Sequence, residues 1–259
     1  MSSIQPVTRL RHAAKSWNRV DSYSFASARC LVPLSGVELS KAVMSLPIAF
    51  ALNEGAYVPV AVLGLADQQN LYVDSTGEWL GGYVPAELRS YPFLLARSED
   101  GQRVLCVDEG SGLVVDGGAG EQFFNADGSM TTPLQSVFGF VSELENGRAP
   151  TLAATEVLQK LGLIQPWELA IDTGSSSHRI GGLHRIDAQK MDNLSDEEFV
   201  TLRQHGALLL AYLQAMSVQH MSKLVTLSQA RAAAAKASEQ LVRAGELDLG
   251  FMQSDTIRF

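Results

Sequence analysis

Phe93-Leu94-Leu95-Ala96-Arg97-Ser98-Glu99-Asp100-Gly101-Gln102-Arg103-Val104-Leu105-Cys106-Val107 is the stretch whose reading decides the fold. Two apolar runs flank Ser98-Glu99-Asp100-Gly101. Asp-Gly supplies the positive backbone dihedrals that a tight hairpin turn needs, and the flanking runs are the length of strands. This block is therefore read as an antiparallel hairpin, not as one helix.

Working outward, short strands are expected near 30–34, 57–65 and 71–73, and again at 167–171 with 182–187 as hairpin partner. Between the first two, Ser35 is a candidate N-cap with Glu38 three residues on, so a helix should run to about Leu46 and stop at Pro47. Pro85 starts a helical turn, Ala86-Glu87-Leu88-Arg89. Residues 108–129 carry six glycines (Gly110, Gly112, Gly117, Gly118, Gly120 and Gly128) and read as a surface loop. Two helices are expected at 134–144 and 151–161, the second ending at Gly162.

From Ser195-Asp196-Glu197-Glu198, a helix-start signature, the chain reads as helical. Ala207-Leu208-Leu209-Leu210-Ala211-Tyr212-Leu213 is apolar on nearly all sides, so that helix is expected to be central and buried. The Ala-rich stretch 230–244 extends it, with Gly245 as the expected stop. The fold class is α+β, a mainly antiparallel sheet with a C-terminal buried helix and a helical extension. The expected organisation is a flexible basic arm over 1–28, an α+β domain over 29–228, and an Ala-rich extension and tail over 229–259.

Composition narrows the function classes. The chain has 259 residues, of which 46% are hydrophobic and 19% charged, enough to fill one large core. Its net charge is −8, yet residues 1–29 hold Arg9, Arg11, Lys15, Arg19 and Arg29 against Asp21 alone. An acidic body repels nucleic-acid phosphates, so no nucleic-acid partner is expected. Cys30 and Cys106 cannot build a disulfide framework or a four-thiolate zinc site. No run approaches the ~20 apolar residues of a membrane span, and no apolar segment follows the N-terminal charges as in a secretory signal. A cytoplasmic location follows as the expectation.

The chemical motifs are few. Asp172-Thr173-Gly174-Ser175-Ser176 resembles an aspartic-peptidase signature, whose chemistry needs two carboxylates about 3 Å apart. A second Asp-Thr-Gly is missing, and Asp, Gly and Ser are ordinary turn residues, so the hairpin-tip reading is preferred. Gly117-Gly118-Ala119-Gly120 lacks the Gly-Lys-Ser/Thr of a phosphate-binding loop, and no Gly-x-Gly-x-x-Gly follows a strand. No cofactor and no metal are expected. The best carboxylate pair is Asp108-Glu109 at a strand end. His184 and Asp187, two positions intervening, would point to opposite faces of a strand. Aromatic residues Tyr72, Trp79, Tyr83, Tyr91 and Phe93 suit either a core or an amphipathic groove.

Asn70-Leu71-Tyr72-Val73-Asp74, Gly77-Glu78-Trp79, the block Tyr83-Val84-Pro85-Ala86-Glu87-Leu88-Arg89-Ser90-Tyr91-Pro92-Phe93, Cys106-Val107-Asp108-Glu109 and Gly182-Leu183-His184-Arg185-Ile186-Asp187 together resemble the SapC family of bacterial proteins. The likeness covers about residues 29–228. It is not to the like-named membrane permease. The family is named for an association with surface-layer systems, and the resemblance implies an accessory role with no reaction attached. Asp172-Thr173-Gly174 lies outside the family pattern.

Two functions follow as expectations. The first is a binding or accessory protein that engages a peptide or protein partner through the 70–109 region, with Asn70, Asp74, Trp79, Tyr83, Arg89, Tyr91, Asp108 and Glu109 as binding residues. The second is an enzyme using Asp108, Glu109, His184 and Asp187.

Overall fold

The computed structural model describes residues 3–98, 100–118, 120–172 and 177–251. The hairpin at its decisive stretch is present. Strands β6 (Phe93–Arg97) and β7 (Arg103–Asp108) pair antiparallel from Phe93↔Val107 to Arg97↔Arg103. Gly101 takes φ +80°, and Ser98 donates its N–H to the Gln102 carbonyl at 2.9 Å to close the turn.

The N-terminal residues are built into sheets instead of forming a free arm. Strand β1 (Ile4–Pro6) adds to β7, giving a three-stranded sheet in the order β1-β7-β6. Helix α1 (Arg9–His12) then leads into β2 (Lys15–Trp17). Strand β2 pairs with β8 (Val114–Asp116) and β9 (Glu121–Gln122), both inside the stretch expected to be a glycine-rich loop. Charge suggested a solvated tail, but the basic residues have local partners. Arg11 and Lys15 bind Glu109 at 2.9 and 3.2 Å, and Arg19 binds Glu121 at 2.6 Å.

The larger sheet has five strands in the order β10-β13-β4-β5-β3. They are β3 (Leu31–Pro33), β4 (Ile48–Asn53), β5 (Ala56–Val62), β10 (Ile164–Pro166) and β13 (Leu183–Ile186). Every pairing in it is antiparallel. Strand β4 had no sequence signal, because its turn to β5 is Glu54-Gly55, with Glu54 at φ 49° and Gly55 at φ 85°. That is the backbone of a tight two-residue hairpin with Glu where Asn or Asp is usual. The expected strand at 71–73 shrinks to a single bridge, Val73↔Trp79. Strand β11 (Leu169–Asp172) pairs with β12 (Ser177–Ile180), not with 183–186 as expected. The hairpin is thus shorter than expected. Its register pairs Asp172 with Ser177, and Thr173 and Gly174 lie outside the described residues.

After β3, Ser35 and Glu38 form the expected capping box of a short 3-10 turn that runs into α2 (Leu39–Ala42). Helix α3 (Ala86–Arg89) follows Pro85, as expected. Helix α4 (Thr132–Lys160) is a single 29-residue helix where two were expected. Pro150 has no N–H, so the Asn146 carbonyl loses its helical donor, yet packing holds the helix continuous. Ser35 Oγ donates to the Leu144 carbonyl at 3.0 Å, Gly36 N–H to Thr151 Oγ1 at 2.7 Å, and Thr151 Oγ1 to the Gly147 carbonyl at 2.6 Å. Gly147 lets this segment approach: a Cβ there would lie 2.4 Å from Ser35 Oγ.

Helix α4 serves two cores. Its Leu134 and Val141 join Trp17, Phe93, Val107 and Phe123 between the small sheets. Its Ala154 and Leu158 join Phe50, Ala61 and Leu183 of the five-stranded sheet. Helices α5 (Ala188–Asp192), α6 (Asp196–Gln204), α7 (Ala207–Ser217) and α8 (Met221–Phe251) complete the described residues. Helix α8 runs past the expected stop at Gly245.

Helix α7 corrects the expectation of all-round burial. Leu210, Ala211, Gln214 and Ser217 are buried, whereas Leu209 is 63%, Tyr212 50% and Met216 61% exposed. The buried face is chosen by hydrogen bonding. Gln214 accepts the Ile186 N–H at 2.9 Å and donates to the Ile48 carbonyl at 3.0 Å, while Ser217 Oγ accepts the Ile48 N–H at 2.9 Å. Backbone groups buried at the ends of β4 and β13 need partners, and an all-leucine face has none to offer.

Candidate functional site

Each residue expected from the sequence to form a site has a definite place. Asn70 is fully buried and structural: its Nδ2 donates to the Ala26 carbonyl at 3.1 Å and its Oδ1 accepts the Tyr72 N–H at 2.9 Å. Asp74 closes an exposed turn, accepting from Thr76 N–H and Oγ1 and from Glu78 N–H at 2.8–2.9 Å. Those donors, the Thr76 hydroxyl first, hold its carboxyl below the usual range. Trp79 stacks on Tyr72 at 5.4 Å and donates Nε1–H to the Tyr83 carbonyl at 3.0 Å. These three residues shape the fold.

Tyr83 and Arg89 belong to a network that sequence reasoning saw only in part. Glu38, expected only as a cap, is buried. Its carboxylate accepts from Ser35 N–H at 3.1 Å, from the Tyr83 hydroxyl at 2.9 Å and from Ala86 N–H at 2.7 Å. Burial pushes the Glu38 carboxyl up, against those hydrogen bonds. Burial and the adjacent Glu38 together push the Tyr83 hydroxyl up to about 12. Arg89 donates to the Tyr83 hydroxyl at 3.0 Å and lies over the Tyr83 and Phe140 rings at 5.3 and 4.9 Å. Its guanidinium thereby links the 83–89 segment to α4.

Along the α4 flank, Tyr91 shares one cavity with Asp108 and an adjoining one with Arg89. Tyr91 stacks on Phe25 with ring centroids 4.0 Å apart. Burial raises its hydroxyl, helped by the neighbouring Asp108 carboxylate. It lines two adjoining cavities. One, of about 430 Å³, lies between β6 and α4 and reaches Arg29, Asp108, Leu144 and Arg148. The other, of about 320 Å³, reaches Trp17, Tyr23, Arg89 and Phe140. The first also shares Glu87, Leu144 and Arg148 with a third recess, of about 340 Å³, where Glu38 sits. A polar and aromatic cleft therefore runs beside α4.

Glu109 turns away from its neighbour Asp108. It binds Arg11 and Lys15, and lies 3.3 Å from Nε2 of the fully buried His12, whose pKa burial lowers and which makes no hydrogen bond there. The Arg11 hydrogen bond, then Lys15, pulls its carboxyl down to about 2. This pins the N-terminal segment to the end of β7, a structural role.

The alternative set of Asp108, Glu109, His184 and Asp187 is not assembled by the fold. Asp108 caps the turn after β7 through Gly110 N–H at 3.0 Å, on the three-stranded sheet. His184 and Asp187 belong to β13 and its end, on the five-stranded sheet. The His184 ring packs edge-on against Tyr57 at 4.8 Å, and Asp187 caps α5 through Lys190 N–H at 3.2 Å. Asp187 and Asp108 line separate recesses.

One surface had no sequence signal. A groove of about 570 Å³ lies between α4, the 36–39 segment and α7, walled by Val37, Leu39, Pro150, Ala154, Leu209 and Leu213. It continues onto the exposed α7 stripe of Leu209, Tyr212 and Met216.

Among the described residues, no group of three His, Cys, Asp or Glu side chains could hold a metal ion, and no helix is long and apolar enough to cross a membrane. No curated protein and no solved structure matches the chain. A family model does: that of SapC, over residues 7–224, which takes in the five-stranded sheet, the β6–β7 hairpin and α4. The chain belongs to the SapC family.

Proposed function

We propose that this protein is an accessory, partner-binding protein that holds a peptide segment of another protein in the cleft between α4 and residues 85–108. The observation that carries the reading is the convergence of Arg89, Tyr91 and Asp108 on adjoining cavities. Such a site offers ring faces, paired charges and a partly apolar floor, the mixture that binds polypeptide. Of the eight residues expected to bind, these three stay at the site. Asn70, Asp74, Trp79, Tyr83 and Glu109 support the fold around it.

The test is selection of a random dodecapeptide library on the full chain. Enriched peptides should bind wild type and lose at least about tenfold in affinity to Leu144→Arg, which fills the shared wall of two recesses. Binding that Leu144→Arg leaves unchanged would place the contact elsewhere. The apolar groove beside α7 favours a second reading, in which an amphipathic helix of a partner lies on Leu209, Leu213 and Met216. Peptides lost to Leu209→Glu and kept by Leu144→Arg would select that reading instead.

A further inference from the structure

We propose that the cleft takes an extended, acidic segment of its partner by adding it as a strand to the outer edge of β6. This rests on the binding function proposed above and specifies its chemistry.

The edge is the first observation. Strand β6 is terminal in the order β1-β7-β6, so among the described residues no strand pairs with its outer side. The register shows which groups face outward. Asp108 donates to the Pro92 carbonyl and Ser98 to the Gln102 carbonyl, both at 2.9 Å, so Phe93↔Val107 and Arg97↔Arg103 are the non-hydrogen-bonded pairs of this ladder. The alternation makes Leu95↔Leu105 another. Leu95 and Arg97 thus direct both N–H and C=O away from β7, and Phe93 directs its C=O the same way. Phe93 N–H is already given to the Ser90 carbonyl at 2.7 Å. The cavity of about 430 Å³ is lined by Phe93, Leu94 and Leu95 of β6 and by Val141, Leu144 and Arg148 of α4, and it reaches across to Asp108 of β7 and Ile4 of β1. A slot between an edge strand and a helix is a geometry that receives an added strand.

Charge is the second observation, and it sets the chemistry of the occupant. Arg97 and Arg103 stand directly opposite each other on one face, a like-charge pair that costs the hairpin stability. Arg97 and Arg148 both approach Glu145, at 4.0 and 3.4 Å; they are 68% and 62% exposed, and Glu145 is 20%. Arg103 meets the neutral amide of Asn146. At the Arg97 end of the slot, Arg97, Arg103 and Arg148 outnumber Glu145, whereas elsewhere the cavity wall holds Glu87, paired with Arg29, and Asp108, so the cationic surplus is local to the end beside Arg97 and Arg148. An acidic strand would neutralise it, with its alternate side chains toward the arginines and its backbone on Leu95 and Arg97.

The experiment uses peptides enriched on the full chain from the random dodecapeptide library. They should carry an excess of Asp and Glu. Arg97→Glu and Arg148→Glu should each weaken them at least about tenfold, and more so at low salt. Leu95→Pro removes an outward N–H without touching a β6–β7 hydrogen bond, and should weaken them by about tenfold or more. If that variant fails to fold, amide exchange on wild type decides: the Leu95 and Arg97 amides should gain protection when peptide is added. Neutral or basic enriched peptides would overturn the acidic assignment. Peptides lost to Leu144→Arg that leave these two amides unprotected would overturn strand addition and leave the cleft as the binding site. No enrichment, or binding indifferent to Leu144→Arg, would remove both proposals.

Discussion

Gln214→Met, set against Leu209→Ala, tests the account of α7 most directly. Met preserves the volume of Gln but removes both hydrogen bonds. The Ile186 N–H then loses its acceptor inside the protein. An unsatisfied buried donor costs about 1–3 kcal/mol. The Ile48 carbonyl keeps only a weak share of the Ser217 hydroxyl, 3.4 Å away and bonded to the Gln214 carbonyl at 2.6 Å, and its loss adds about 0.5–1.5 kcal/mol. The expected total is about 1.5–4.5 kcal/mol. Leu209 is 63% exposed, so Leu209→Ala forfeits only about a third of a leucine's burial, roughly 0.5–1 kcal/mol. A leucine buried on all sides would have cost about 2–5 kcal/mol. Guanidinium denaturation with an unchanged m-value measures both. Adding Ser217→Ala to Gln214→Met should cost more than the sum of the single changes, because each leaves the other as support for Ile48. If Gln214→Met lies within about 0.5 kcal/mol of wild type while Leu209→Ala exceeds about 2 kcal/mol, the reasoning about which face of α7 is buried is wrong.

Two glycines of α4 should respond in opposite directions. Gly147→Ala places a Cβ against Ser35 Oγ and Val37 and should cost about 1–3 kcal/mol by denaturation, whereas Gly139→Ala meets nothing within 4 Å and should stabilise by about 0.5–1 kcal/mol. Glu109 titrates below its ordinary value when folded, so its contribution is present above the ordinary carboxylate range and lost as pH falls toward about 2. Amide exchange of residues 4–17 should therefore accelerate across that window, and Glu109→Gln should make exchange there fast already at neutral pH. Glu38 is raised by burial, so its contribution has the opposite sign: present at low pH and lost as pH rises through its folded value. In Glu38→Gln the melting temperature should lose that fall with rising pH; an unaltered pH profile would show that Glu38 is not its source. Asp172 pairs with Ser177 across a hairpin, so acid-pH digestion of a mixed peptide library should show no activity that Asp172→Asn abolishes.

The sequence by itself determined the elements whose signals are local. The Asp100-Gly101 turn, the Ser35/Glu38 capping box, the helix start at Ser195-Asp196-Glu197-Glu198 and the helical turn after Pro85 each rest on neighbours within a few residues, where backbone sterics and capping leave few choices. The family likeness rested on such local blocks too. What the tertiary structure decided was every question of partnership between distant residues. Strands β1, β2, β8 and β9 are two or three residues long and become strands only because β7 or one another supplies the ladder. Helix α4 survives Pro150 because residues 35–37 bind it there. At the candidate site, Arg89, Tyr91 and Asp108 were legible as residue types. The free edge of β6 and the carboxylate shared by Arg97 and Arg148 were not, because an edge is defined by the strand order and a charge surplus by which side chains meet. Periodicity recorded that α7 is apolar; only the unpaired backbone at Ile48 and Ile186 determined which of its faces is turned inward.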